Sequence, residues 1–151
     1  MKTILFMSVL LIWSLTGLAQ KIKASEVPES VKQSFQKRYP SGKVEHWEKE
    51  GSIYEAEFDN GKEETTVSFD ASGQLIETEV EISTAELPQS IKDWLNTKTG
   101  GKKIKEAERV KDNTGKLTYE VEVGDTEYVF DEKFNCIETR AEKGEGKEGK
   151  D

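Results

Sequence analysis

The stretches EVPESVKQSF (residues 26–35) and ELPQSIKDWL (residues 86–95) write nearly one phrase twice. Glu26, Pro28, Ser30 and Lys32 recur as Glu86, Pro88, Ser90 and Lys92, while Val27, Val31 and Phe35 become Leu87, Ile91 and Leu95. In both stretches the apolar residues stand four apart, which draws one stripe along a helix. Proline at the first helical position loses no hydrogen bond, because that N–H has no intrahelical acceptor. Lys37 and Arg38 suit the negative end of the first helix, and Pro40 stops it by disfavouring helical geometry at Tyr39. Gly100 and Gly101 stop the second helix, and Ser83 with Glu86 has the spacing of a capping box.

The likeness continues downstream. YEAEF (54–58) returns as YEVEV (119–123), and FDASGQLIET (69–78) as FDEKFNCIET (130–139). The spacing differs only through connections of unequal length, which duplicated units tolerate best in turns. Between the turns the residues alternate strictly. Tyr54, Ala56 and Phe58 oppose Glu55 and Glu57; Ile76, Thr78, Val80 and Ile82 oppose Glu77, Glu79 and Glu81. Such alternation describes antiparallel strands covered on one face only. Turns are marked by EGS (50–52), DNG (59–61), DASG (70–73), DNTG (112–115) and GD (124–125). Strands are expected at 43–50, 53–59, 64–70, 74–82, 103–111, 117–123, 126–131 and 136–141. The fold class expected is α+β: a tandem repeat of a helix plus a four-stranded antiparallel sheet, open on one face. The units span 24–83 and 84–141 and are expected to align their sheets or pack their helices into a common core.

At the N-terminus, Lys2 precedes an apolar run from Ile4 to Leu15, followed by Gly17 and Ala19. This reads as a secretory signal peptide at 1–19, since the run is shorter than the ~20 residues that span a bilayer. A periplasmic or secreted location follows, with no membrane span after cleavage. Thirty acidic residues against 22 basic ones give a net charge of −8, which disfavours nucleic acid and anionic lipid as partners. Cys136 is the single cysteine, so no internal disulfide forms, and it reads as a partly covered strand residue. The tail at 142–151 holds no large apolar side chain and is expected to be disordered.

No catalytic set emerges. His46 is the single histidine, which leaves no multi-histidine zinc site. No G-x-S-x-G elbow, phosphate loop or calcium loop is present. No cofactor, no metal site and no enzymatic activity are expected. The chemistry lies on the polar side of the strands, where Glu55, Glu57, Glu77, Glu79 and Glu81 face the same way as Glu120, Glu122 and Glu138. An open sheet is expected to keep these carboxylates wet and ionised. Trp47 follows Val44 by three, which in a regular strand sends the two to opposite faces. Either a bulge intervenes or Trp47 decorates the open face as a binding anchor. The candidate partner-binding residues are Trp47, Glu55, Glu57, Glu77, Glu79, Glu120 and Glu122.

VPESVKQSFQKRYPSGKVEHWEKEGSIYEAEF, VSFDASGQLIETE, LPQSIKDWL, TYEVEV and YVFD together resemble the PepSY-like family of small exported bacterial proteins. That family is described as β-lactamase-inhibitor-like and is common in Bacteroidetes-type bacteria. The resemblance covers residues 24–140. It implies tandem helix-plus-four-strand units, an eight-stranded curved sheet whose open face meets partners, and a periplasmic address. Phe134 stands where the first unit has Gly73, so that turn is expected to differ, and no stretch matches the inhibitory loops of the well-studied inhibitors. The function expected is a non-enzymatic periplasmic protein-binding module that inhibits or modulates an envelope hydrolase. The alternative is a cation-responsive or small-ligand-binding envelope protein that uses the acidic face.

Overall fold

The computed structural model describes residues 20–61 and 63–141; the expected signal peptide and tail lie outside them. The chain runs β1 (Gln20–Ile22), a 3-10 turn (Ala24–Glu26), α1 (Glu29–Arg38), β2 (Val44–Glu50), β3 (Ile53–Asn60), β4 (Glu63–Asp70) and β5 (Leu75–Glu81). It continues through α2 (Gln89–Thr99), β6 (Ile104–Asp112), β7 (Leu117–Val123), β8 (Thr126–Phe130) and β9 (Cys136–Ala141). All nine strands form a single sheet in chain order, and every neighbouring pair is antiparallel.

This overturns the expected tandem of a helix plus a four-stranded sheet. β5 and β6 zip together from Glu77↔Asp112 to Glu81↔Glu108, so no boundary divides the sheet, and β1 adds a ninth strand on β2. The physical reason is that alternation identifies a strand but not its neighbour. Two sheets ending at β5 and β6 would each leave a row of unpaired N–H and C=O groups, and joining them satisfies both rows.

The expected common core is also replaced. Val31 and Phe35 of α1 pack with Trp47, Tyr54, Ala56, Phe58, Val67 and Phe69. Ile91 and Leu95 of α2 pack with Ala107, Val121, Val123, Tyr128 and Phe130 in a second cluster. Both clusters lie on the same side of the sheet, because the register carries Ala56 through Val67 and Thr78 to Lys111, and Val80 through Arg109 to Tyr119. Phe35 meets Phe58 edge-on at 5.0 Å, and Trp94 meets Phe130 edge-on at 5.3 Å. Trp94 thus extends the apolar stripe of α2.

Local signals resolve with two adjustments. Pro28 and Pro88 are N-caps in extended geometry rather than first helical residues. Glu86 accepts the Ser83 N–H at 2.9 Å and hydroxyl at 2.7 Å, but in the turn preceding α2. Asp70, Asp112 and Asp131 each fold their carboxylate back onto turn amides two and four residues on. Gly73 in the first of these turns has φ +84°, and a Cβ there would stand 2.5 Å from the Ser30 carbonyl oxygen.

Candidate partner-binding face

The side of the sheet away from the helices is written by cross-strand register. One row runs Glu48, Glu55, Ser68, Glu77, Asp112, and the next runs Glu57, Thr66, Glu79, Val110, Thr118. A third runs Glu81, Glu108, Glu120, Val129, Glu138, and a fourth Glu106, Glu122, Glu127, Arg140. The six glutamates expected as partner-binding residues therefore share this face.

Trp47 does not join them. It is buried at 8% exposure, with its ring 5.9 Å from Phe35. A register shift between Val44 and His46 supplies the bulge that turns both Val44 and Trp47 toward α1.

The face is less wet than its composition implies. Val110 and Val129 are buried within it at 4% and 3% exposure. Opposed side chains on neighbouring strands stand only about 5 Å apart, so glutamates flanking a valine shield one another from water. Burial raises the Glu79 carboxyl to about 9, helped by repulsion from Glu108 and Glu77. Burial likewise lifts Glu120 to about 8, with Glu127 adding to the rise and Arg140 opposing it. Glu55 and Glu108 each rise to about 7, again chiefly through desolvation, and Glu77 moves in the same direction. The expectation of fully wetted, ionised carboxylates is thereby corrected. The cause is crowding by neighbouring stems over an apolar floor. The Ser68 hydroxyl, sealed between Glu55 and Glu77, meets no hydrogen-bond geometry, yet it lies near enough to Glu55 to favour the anion slightly.

Arg140 partly offsets the charge. Its Nε and second guanidinium nitrogen grip both Glu138 oxygens at 2.8 and 3.0 Å, while Nη1 donates to Glu127 at 2.9 Å and Glu120 at 3.2 Å. Lys105 Nζ lies 2.6 Å from Glu122. Between these strands lies a hollow of about 130 Å³ lined by Glu106, Glu108, Glu120, Glu122 and Glu127. That is well below the ~300–1,000 Å³ of small-molecule sites, and Arg140 and Lys105 already reach three of its glutamates. Among the described residues no group of three or more His, Cys, Asp or Glu side chains is placed to hold a metal ion.

Glu106, Glu108, Glu127 and Arg140 escaped the sequence reading. In IKEAERVKD the bulge between Ile104 and Glu106 interrupts the alternation, and Val110 occupies a position whose parity is otherwise polar.

A family model described as "Putative beta-lactamase-inhibitor-like, PepSY-like" matches residues 12–76 and 52–138. Three crystal structures share the fold. A DUF2874 family protein from Bacteroides ovatus is 20% identical, with a TM-score of 0.68 over 76% of this chain and 86% of its own. One of the "putative periplasmic proteins" of Bacteroides eggerthii is 17% identical, with a TM-score of 0.68 over 76% and 88%. A BLIP-like protein from Bacteroides fragilis is 20% identical, with a TM-score of 0.60 over 76% and 86%. No curated protein matches the chain.

Proposed function

Because this chain belongs to the PepSY-like, beta-lactamase-inhibitor-like family, we propose that it is a non-enzymatic protein-binding module of the periplasm. Its open sheet face docks a basic surface on an envelope protein, with a hydrolase as the partner class and inhibition or modulation as the outcome. Export rests on the signal-peptide reading of residues 1–19. Among the described residues no helix is long and apolar enough to cross a membrane.

The observation that carries this reading is the crowding of Glu55, Glu79, Glu108 and Glu120 into a half-dry array that holds protons near neutrality. An arriving ammonium or guanidinium group stabilises the ionised form of each carboxyl it meets. Docking therefore expels protons and tightens as pH rises through about 7 to 9. Electrostatic complementarity of this kind chooses the partner and speeds encounter more than it sets the final affinity.

The test is site-specific photocrosslinking in the native envelope, with the reactive group at Glu57 or Glu122 on the face and at Lys98 on α2. Recovery of one stoichiometric protein from the face positions alone is the expected result. Equal capture from α2, or repeated recovery of nothing, contradicts the reading.

A further inference from the structure

The two ends of the sheet differ. β1 is three residues long and exposes Gln20 and Lys21, a short charged edge of the kind that resists pairing. β9 is six residues long, CIETRA, with neither proline nor lysine; a bulge at Ile137 interrupts its start, 138–141 pair regularly with β8, and its outer edge has no neighbouring strand among the described residues. Ile137, exposed at 46%, lies on this strand, whereas Phe134 of the preceding turn leans back over the sheet, its ring 6.0 Å from Tyr119 of β7. The strand carries one glutamate and one arginine, so it is neutral within a chain of net charge −8.

We propose that β9 pairs antiparallel with β9 of a second copy, about a two-fold axis through Thr139. The register follows from charge and face. With Thr139 opposite Thr139 of the second copy, each Glu138 faces an Arg140 within the regular part of the strand. Sliding the strands to the adjacent same-face registers sets Glu138 against itself or Arg140 against itself, and like charges directly opposite one another are destabilising. A slip of the other parity joins helix-side residues to open-face residues and breaks the continuity of both faces. The favoured register leaves all the helices on one side and merges the two acidic faces on the other. This pairing stands independently of what the open face binds.

The experiment uses the full chain. Sedimentation at rising concentration is expected to show a reversible monomer–dimer equilibrium. In a Cys136→Ser background, Thr139→Cys is expected to give a disulfide-linked dimer on mild oxidation. Ile137→Cys is not, because its two copies sit about 13 Å apart along the strands, beyond the ~7 Å limit for a bridge. Adding Glu138→Arg to the Thr139→Cys chain sets guanidinium groups opposite one another and is expected to cut the crosslinked yield several-fold. A wild-type chain that stays monomeric up to about 1 mM overturns the proposal. So does equal crosslinking at 137 and 139, or a yield unmoved by Glu138→Arg.

Discussion

Glu79 on β5 pairs directly with Val110 on β6, and the two side chains stand side by side on the face away from the helices. The pair sits on the ladder that joins the strands of the α1 cluster to those of the α2 cluster. Val110 is 4% exposed, and the Glu79 carboxyl beside it is pushed up to about 9, first by desolvation and then by Glu108 and Glu77. Joining β5 to β6 therefore creates the dry patch: without that ladder neither residue has the other as a neighbour.

Glu79→Gln keeps the shape of this group and removes the cost of holding its carboxyl protonated at a pH where the unfolded chain ionises it. At pH 8 the substitution is expected to stabilise the fold by about 1–3 kcal/mol after allowance for solvent screening. This corresponds to a rise of several degrees in Tm. At pH 4, where the glutamate is protonated in both states, the gain is expected to vanish. Calorimetric melting at the two pH values checks it.

Wild-type stability is expected to fall as pH rises from about 5 to 9. Glu55, Glu79, Glu108 and Glu120 titrate at about 7, 9, 7 and 8 when folded, against an ordinary 4.5. Over that window the folded chain binds more protons than the unfolded chain, so each step up in pH favours unfolding. Below the ordinary carboxylate range the sign reverses. Glu86, Asp131 and Glu138 are held low by hydrogen bonds from Ser83, the Asn135 amide and Arg140, and protonating them removes that contribution. A Tm maximum near pH 5 is expected from denaturation followed by circular dichroism.

Gly73→Ala is expected to cost about 2–4 kcal/mol, since it combines a left-handed backbone with a collision against helix α1. The Ser30 carbonyl oxygen lies 2.5 Å from where the new Cβ would stand. Gly124→Ala is the control. Its φ is +68° but nothing lies within 4 Å of a Cβ, so the expected loss is about 1 kcal/mol. Urea unfolding of the two variants separates strain from collision.

Phe58→Ala and Phe130→Ala each empty a fully buried position, one in each apolar cluster. Losses of about 3–5 kcal/mol are expected from both. Because the sheet is continuous from β1 to β9, each variant is expected to shift one cooperative transition rather than split it. Two separated calorimetric peaks would contradict the mechanical unity of the sheet.

Sequence and structure agree best where the signal is local. The eight expected strand segments match β2 to β9 to within a residue at each end, because alternation and turn residues act over a few positions. The β5–β6 ladder was not readable from periodicity, since the polar alternation of LIETEVEI carries no mark of its partner; a joined sheet was implied by the family resemblance alone, with eight strands rather than nine. Strand β1 was missed because QKI is too short to show a period. At Phe134, expected to sit in a different turn from Gly73, the backbone takes the same left-handed conformation at φ 65°, with its N–H donating to the Asp131 carbonyl oxygen at 2.8 Å. The aspartate, present in both turns, sets the geometry there. The glutamates of the open face were legible as a set, yet their partial dryness was not. It arises from neighbours such as Val110 and Val129, which only the register brings among them.

The most direct measurement is a carbon-13 NMR titration of the Glu79 and Glu120 side-chain carboxyls in the intact protein. Midpoints near 9 and 8 are expected if the open face is the crowded, half-dry surface described. Midpoints at the ordinary 4.5 for both would mean that water reaches these groups freely, and would contradict it.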